Sequence, residues 1–369
     1  MSTYIYQKPE WPQFHWNDEK LTALLASIRN KQGRLLGRME ALGFDLRSEA
    51  QLETLTINIL KTSEIEGEIL NPEQVRSSIA RRLGMDIGGL VASDRNIDGV
   101  VEMMLDATQN FKAPLTQERL FGWHASLFPT GRSGMYKIKT GAWRDDDKGP
   151  MQVVSGGYGR EKVHFEAPAA KAVKNEMLRF VDWFNGKTNI DPVLKASVAH
   201  LWFITIHPFE DGNGRMARAI ADMQLARADD SSQRFYSMSA QIQRERNDYY
   251  NILESSQKGT LDISDWLDWF LKCLNRSLDS TDILLAKVLE KARFWDRFPA
   301  ASLNDRQTLL LSKLLDGFEG KLTTSKWAKI AKCSQDTALR DIQDLMDKQA
   351  LIKEPAGGRS TSYILNIEQ

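Results

Sequence analysis

The chain has 369 residues, 42% of them hydrophobic and 27% charged, enough apolar side chain for two or three globular cores. Its 49 basic residues balance 49 acidic ones, so no global field draws it to nucleic acid or to an anionic membrane, and any charged partner must be met by a local patch. No apolar run approaches the roughly 18 residues of a membrane span. The start, MSTYIYQKPEWPQFHW, lacks a basic segment followed by an apolar one. The expectation is a cytoplasmic protein with no membrane partner, and Cys273 and Cys333, too far apart for a CxxC site, are expected as small core residues.

Taken in chain order, the first helix is predicted from an Asn17 cap, and a second from Ser48 to a stop at Gly67. A third begins with Pro72 at its first position, GMDIGG follows as a loop, and residues 93 to 128 hold two more helical patterns. Residues 134 to 165 differ: short β-prone pieces between Gly, Pro and Asp turns predict a hairpin. The pattern is helical again to about residue 295. Beyond Arg297, helices at about 304 to 316, 324 to 331 and 335 to 348, then two short strands about EPAGGRST, spell a winged helix-turn-helix. The fold class is therefore mostly α, with expected divisions at 1–92, 93–296 and 297–369.

The stretch ITIHPFEDGNGRMARAI, Ile204 to Ile220, asks for more than packing. An apolar helix ends in His207 before Pro208. Gly212 and Gly214 then allow the N–H groups of residues 209 to 214 to turn inward, and a helix resumes at about Arg215. A loop that opens into a helix is an anion site. Arg215 and Arg218 share one face of the first turn, where cations are disfavoured unless a multiply charged anion such as a polyphosphate lies in front. Asp211 is the natural Mg2+ ligand for such an anion, and His207 the general base. Each feature alone is ordinary; a base, a metal-type acid, a glycine nest and two cations within 12 residues are not.

HPFEDGNGRMAR resembles the signature of the Fic (filamentation induced by cAMP) family at every defined position. The resemblance implies a helical core that binds ATP with Mg2+ and transfers AMP to a Ser, Thr or Tyr hydroxyl of a protein, itself included. By it, His207 is the catalytic base and Asp211 the metal ligand. Phe209, Glu210, Gly212, Asn213 and Gly214 form the nucleotide cradle, and Arg215 and Arg218 are the clamps, Arg218 on the γ-phosphate. Met151, Gln152, Val153 and Val154 resemble the family's flap, which docks a target segment by strand pairing. Tyr249 and Tyr250 fall where the family contacts the adenosine.

KTSEIEGE, Lys61 to Glu68, crowds three acids at a helix end, which the dipole disfavours unless one has a cationic partner elsewhere. Thr62, Glu66 and Gly67 resemble the family's inhibitory motif, which implies that Glu66 pairs with Arg218 in the place of the γ-phosphate. The implied activity is an autoinhibited protein adenylyltransferase. Two alternatives remain: a hydrolase of the same fold that removes AMP, or a nucleotide-sensing regulator that binds DNA. Residues 321 to 369 carry eight basic and six acidic residues, and the recognition helix holds four aspartates, of which Asp336 and Asp341 are placed toward the groove and Gly357, Gly358 and Arg359 at the wing tip. DNA and protein stay equally open as partners of that domain, and a homodimer is the expected assembly.

Overall fold

The structure, a computed structural model, describes residues 4 to 366 apart from 86, 88, 148, 157–161, 299–301, 319 and 355–360. The chain forms two compact units, residues 1–83 with 92–284 and residues 84–91 with 285–369.

The larger unit is helical. α1 (Asp18–Glu40) starts at the expected Asn17, whose side chain accepts the Lys20 N–H, and packs on α11 (Ser264–Asp279). α2 (Phe44–Ile65) begins one turn before the expected Ser48, from Gly43, because residues 44 to 47 hold no helix breaker and Arg47 N–H already bonds Gly43 O. α3 (Pro72–Arg82) has Pro72 first and an Asn71 cap. α4 (Arg95–Gln109) and α5 (Gln117–Leu127) follow and pack on each other. Two antiparallel ladders come next, β1 (Arg132–Ser133) with β2 (Tyr136–Lys137) and β3 (Gln152–Ser155) with β4 (Lys162–Glu166), the second bulged at Val153 and Val154. The expected single hairpin is thus two.

α6 (Ala170–Asn185), α7 (Pro192–Ile206) and α8 (Asn213–Asp229) form the centre, with α7 buried from Val193 to Ile206 and packed along α8. An apolar helix with no polar face belongs inside a protein. α9 (Met238–Arg244), α10 (Arg246–Gln257) and α11 close the bundle. The first residues are a strap across it: Tyr4 meets Phe165 edge-on, Trp11 meets Trp202, and His15 bonds the backbone at Leu261 and Ile263. Cys273 is in this core and Cys333 is partly buried in the other unit. No described helix is long and apolar enough to cross a membrane.

α12 (Thr281–Arg297) runs across the division between the units. The smaller unit holds α13 (Asp305–Gly317), α14 (Thr324–Ile330) and α15 (Gln335–Asp347), then β5 (Leu351–Lys353) paired with β6 (Tyr363–Leu365). Leu322 bridges to Tyr363, and the core is built on Trp327, Leu310, Leu311, Ile342 and Leu345. This is the winged helix-turn-helix expected from the pattern, with Gly357, Gly358 and Arg359 outside the described residues. One expectation fails: Asp341 does not face outward. It is buried, with its carboxylate held by Arg306 and Asn304, because it lies on the same helical face as Ala338, Ile342 and Leu345.

Candidate active site

α7 ends where Pro208 removes the next donor. His207 is left-handed (φ 51, ψ 59), and its N–H still reaches Phe203 O at 3.1 Å. A non-glycine residue keeps that conformation only when its surroundings hold it. Arg144 does so: Nε donates to His207 O at 2.8 Å, its N–H donates to Pro208 O at 3.0 Å, and Nη2 donates to Pro168 O. His207 Nδ1 lies 3.2 Å from Ile204 O. A carbonyl only accepts, so Nδ1 carries the proton and Nε2 is left as the basic nitrogen. Burial, with the Arg144 charge added, outweighs that bond and pushes the imidazole down to about 4, which keeps it neutral.

The next five residues are stapled by their own side chains. Asn213 brackets Phe209, its Oδ1 accepting the Phe209 N–H at 3.0 Å and its Nδ2 donating to Phe209 O at 2.8 Å. The Phe209 ring stacks on His124 at 4.2 Å. His124 Nε2 lies 3.2 Å from Asp211 O, and its Nδ1 accepts the Gly141 N–H. Asp211 accepts the Gly212 N–H at 2.6 Å with one oxygen and the Ser133 hydroxyl with the other. Gly212 (φ 78) caps α8, where a Cβ would come within 2.9 Å of the Phe128 ring. The expected row of inward N–H groups is therefore shorter than 209 to 214, since Phe209 and Gly212 are bonded to side chains. The donors in front are those of Asn213, Gly214 and Arg215, the first turn of α8, which no helical carbonyl can reach.

Arg215 and Arg218 stand beside that turn, both buried. Nε and Nη2 of Arg218 donate to the hydroxyl and carbonyl of Thr62 at 2.7 and 2.9 Å, and Nη2 also donates to Glu66 Oε1 at 2.7 Å. Arg215 Nη1 donates to Glu68 Oε2 at 2.6 Å. Arg218 Nη1 and Arg215 Nε are buried with no hydrogen-bond partner among the described residues. The Glu66 carboxylate lies directly over the helix start: a Cβ on Gly214 would sit 2.2 Å from its Oε1. An acid thus occupies the place where the helix N-terminus and two cations favour an anion.

The end of α2 aims that acid. Gly67 (φ 86) closes the helix with its N–H on Glu64 O and the Glu68 N–H on Ser63 O, a Schellman turn that leaves Glu66 as the last helical neighbour. Two turns back, Asn58 donates to Asp222 of α8 at 2.9 Å, and Asp222 also holds Arg234 at 3.0 Å, with both charges buried. This network fastens the acid-bearing helix to the arginine-bearing one. Asp222→Ala should destabilise the protein by about 3 to 5 kcal/mol, because it breaks a buried ion pair and removes the carboxylate to which Arg234 Nη2 and Asn58 donate; urea denaturation checks this.

Around the centre, β4 is tied to α10 through His164 Nδ1 and Glu254 at 2.6 Å, while β3 is exposed along Gln152 to Ser155 with Met151 at its entry. Tyr249 is buried with its hydroxyl 2.9 Å from His200 Nε2, and Tyr250 is partly exposed with its hydroxyl on Ile65 O. Burial pushes His124 to about 4, and burial with the Arg218 charge pushes His200 to about 3. Both folded values lie below the unfolded value near 6.5. The unfolded chain then takes up more protons, so stability is fully present above pH 6.5 and falls as the pH drops toward 4. The loss is on the order of 3 kcal/mol per histidine, and a pH series of denaturant midpoints with and without His200→Gln reads it.

Residues 114–225 match the family described as Fic/DOC family, and residues 4–85 match a domain of unknown function, DUF4172. The first match covers less than a third of the chain and contains the whole stretch from His207 to Arg218. Upstream of that match lies the DUF4172 segment, so Glu66 and Arg218 come from two separately matched stretches. A protein adenylyltransferase Fic of Drosophila willistoni is 27% identical over 259 residues, 69% of this chain and 47% of that protein. The chain spans about half the length of the curated relatives it matches. Among solved structures, a Fic family protein from Desulfovibrio desulfuricans G20 has TM-score 0.54 at 21% identity over 95% of this chain and 97% of that one. A Fic-domain signaling protein from Bacteroides thetaiotaomicron has TM-score 0.51 at 21% identity over 72% and 97%. The fold is the mostly helical Fic fold with small hairpins and an N-terminal helical domain.

Four residues at this centre escape sequence reasoning. His124 had a signal, being polar at the spacing of the buried Leu120 and Leu127 of α5. Glu68 had one in the acid cluster, although spacing does not say which arginine it meets. Arg144 and Ser133 had none: both sit in turn-rich sequence and act across long sequence separations.

Proposed function

We propose that this chain is a protein adenylyltransferase held in an inhibited state by Glu66. The observation that carries the reading is the Glu66 carboxylate on Arg218 and over Gly214, which makes this place an anion subsite occupied from within. A triphosphate fits the same chemistry: three helical N–H groups, two buried arginine nitrogens without partners, and the two cations. With Glu66 displaced, the phosphates lie on the α8 start and the α-phosphorus faces His207 Nε2. His207 takes the proton of an incoming Ser, Thr or Tyr hydroxyl as that oxygen bonds to the α-phosphorus, and pyrophosphate leaves. Asp211, one carboxylate with oxygens shared only with an N–H and a hydroxyl, suits Mg2+, which takes one or two carboxylates besides phosphate oxygens and water. Bound there, Mg2+ would neutralise phosphate charge.

The exposed β3 edge, Met151 to Val154, offers strand pairing to a target segment or to another copy of this chain. Tyr249 and Tyr250 lie close enough to Arg218 to act on its charge, and they are the aromatic side chains this site offers an adenosine. The test is Glu66→Gly protein incubated with Mg2+ and ATP labelled at either the α- or the γ-phosphate. Protein-bound α-label without γ-label supports AMP transfer; bound γ-label overturns it. A second reading, removal of AMP from a modified protein, is favoured by one observation: the Glu66 charge acts on His207, a placement from which it could orient water. That reading requires AMP release that Glu66→Gly abolishes.

A further inference from the structure

The proposed brake involves one acid, but the structure shows two acids meeting two arginines. Glu68 Oε2 accepts from Arg215 Nη1 at 2.6 Å, as Glu66 Oε1 accepts from Arg218 Nη2 at 2.7 Å. Arg215 is buried and its guanidinium lies 5.1 Å from the Phe128 ring. Phe128 is the residue that a Cβ on Gly212 would strike, so Arg215 covers the Asp211 end of the cradle while Arg218 covers the Gly214 end. The third acid of the cluster, Glu64, meets neither: it accepts from Lys61 and from Gln243.

We infer that Glu68 is a second inhibitory carboxylate, which occupies Arg215 while Glu66 occupies Arg218, and that the Gly67 turn carries both as one latch. The inference rests on the reading of this cradle as a nucleotide site. Gly67 bonds backward to Glu64 O, and Glu68 bonds backward to Ser63 O. Neither acid can leave its arginine by an unwinding of the turn without the other losing its support. Glu66 is the more enclosed of the two, with 30% of its side chain exposed against 49% for Glu68. Glu68 is therefore the weaker half, more screened by water and salt, and the half from which opening starts.

The test compares Glu68→Gln, Glu64→Gln, Glu66→Gly and the Glu66→Gly, Glu68→Gln double variant, all in the full chain. Two readings are taken, the Kd for ATP with Mg2+ by calorimetry and the incorporation of α-label. Glu64→Gln removes the same charge from the same turn without touching an arginine. The expected result is a Kd for Glu68→Gln about two- to fivefold tighter than for Glu64→Gln, the gain of freeing a half-exposed pair, and a further gain in the double variant over Glu66→Gly alone. If Glu68→Gln matches Glu64→Gln in both readings while Glu66→Gly labels strongly, the second carboxylate is overturned and the adenylyltransferase reading stands. If no variant incorporates label yet Glu68→Gln binds more tightly, the latch stands and the transferase reading falls. An unchanged Kd with no label in any variant overturns both.

Discussion

Glu66→Gly should raise incorporation of α-label from ATP roughly 10- to 100-fold over the wild type. The magnitude comes from the contact removed. A hydrogen bond to a charged group contributes about 1.5 to 3 kcal/mol, and every 1.4 kcal/mol is tenfold in an equilibrium constant. The carboxylate is on Arg218 Nη2 and over the helix start at once, so a γ-phosphate cannot enter without displacing it. Glycine at this position keeps the turn, because Glu66 lies at the helix end rather than inside it. The same variant takes the Glu66 carboxylate from Arg218 and leaves its bonds to Thr62. It should therefore lower the melting temperature without nucleotide and restore it when ATP and Mg2+ are added. Equal labelling in wild type and variant would remove the idea that Glu66 restrains the site.

How far this was legible in the sequence depends on the range over which each residue acts. The stretch from His207 to Arg218 could be read because its parts are consecutive: the helix stop, the glycine turn and the first helical turn follow one another, and local rules give their relative places. The acids at the end of α2 are unfavourable there on their own and so pointed to a cationic partner, but only the resemblance to the inhibitory motif singled out Glu66 and Arg218. The pairing of Glu68 with Arg215 was not legible, since three acids at alternate positions differ only in how the turn aims them. Arg144 shows the harder limit. It lies 63 residues from His207, and no local pattern distinguishes a buried arginine in a turn-rich segment from a solvated one.

Asp341 shows the converse. Its spacing from Ala338 and Leu345 put it on the apolar face of α15, but a carboxylate belongs there only if a cation reaches it, and Arg306 comes from another helix. The consequence for α15 is chemical. With Asp341 turned inward and Asp344 on Gln307 and Lys348, the outer face at the start of the helix is Gln335, Asp336, Leu339, Arg340 and Gln343, less acidic than the sequence suggests.

His207→Ala in the Glu66→Gly background should abolish labelling, a fall of about 10²- to 10⁴-fold from loss of a positioned base, while the Kd for ATP with Mg2+ changes little. The two readings separate because the imidazole and the phosphate donors belong to different elements. His207 closes α7, whereas the N–H groups, Arg215 and Arg218 belong to α8. Removing the ring also leaves the main-chain anchor intact, since Arg144 bonds the carbonyl of residue 207 and not its side chain. The left-handed backbone is then held as before, at some strain for alanine. The folded imidazole, pushed down to about 4 by burial, is already neutral at pH 6, so the Glu66→Gly enzyme should keep its activity well below the ordinary histidine range. The acid limb of its kcat/KM profile should fall near pH 4 instead of near 6.5. A profile that drops by half at pH 6.5 would mean that opening the latch wets His207 and restores its ordinary acidity. A double variant that still labels would take the base role away from His207 altogether.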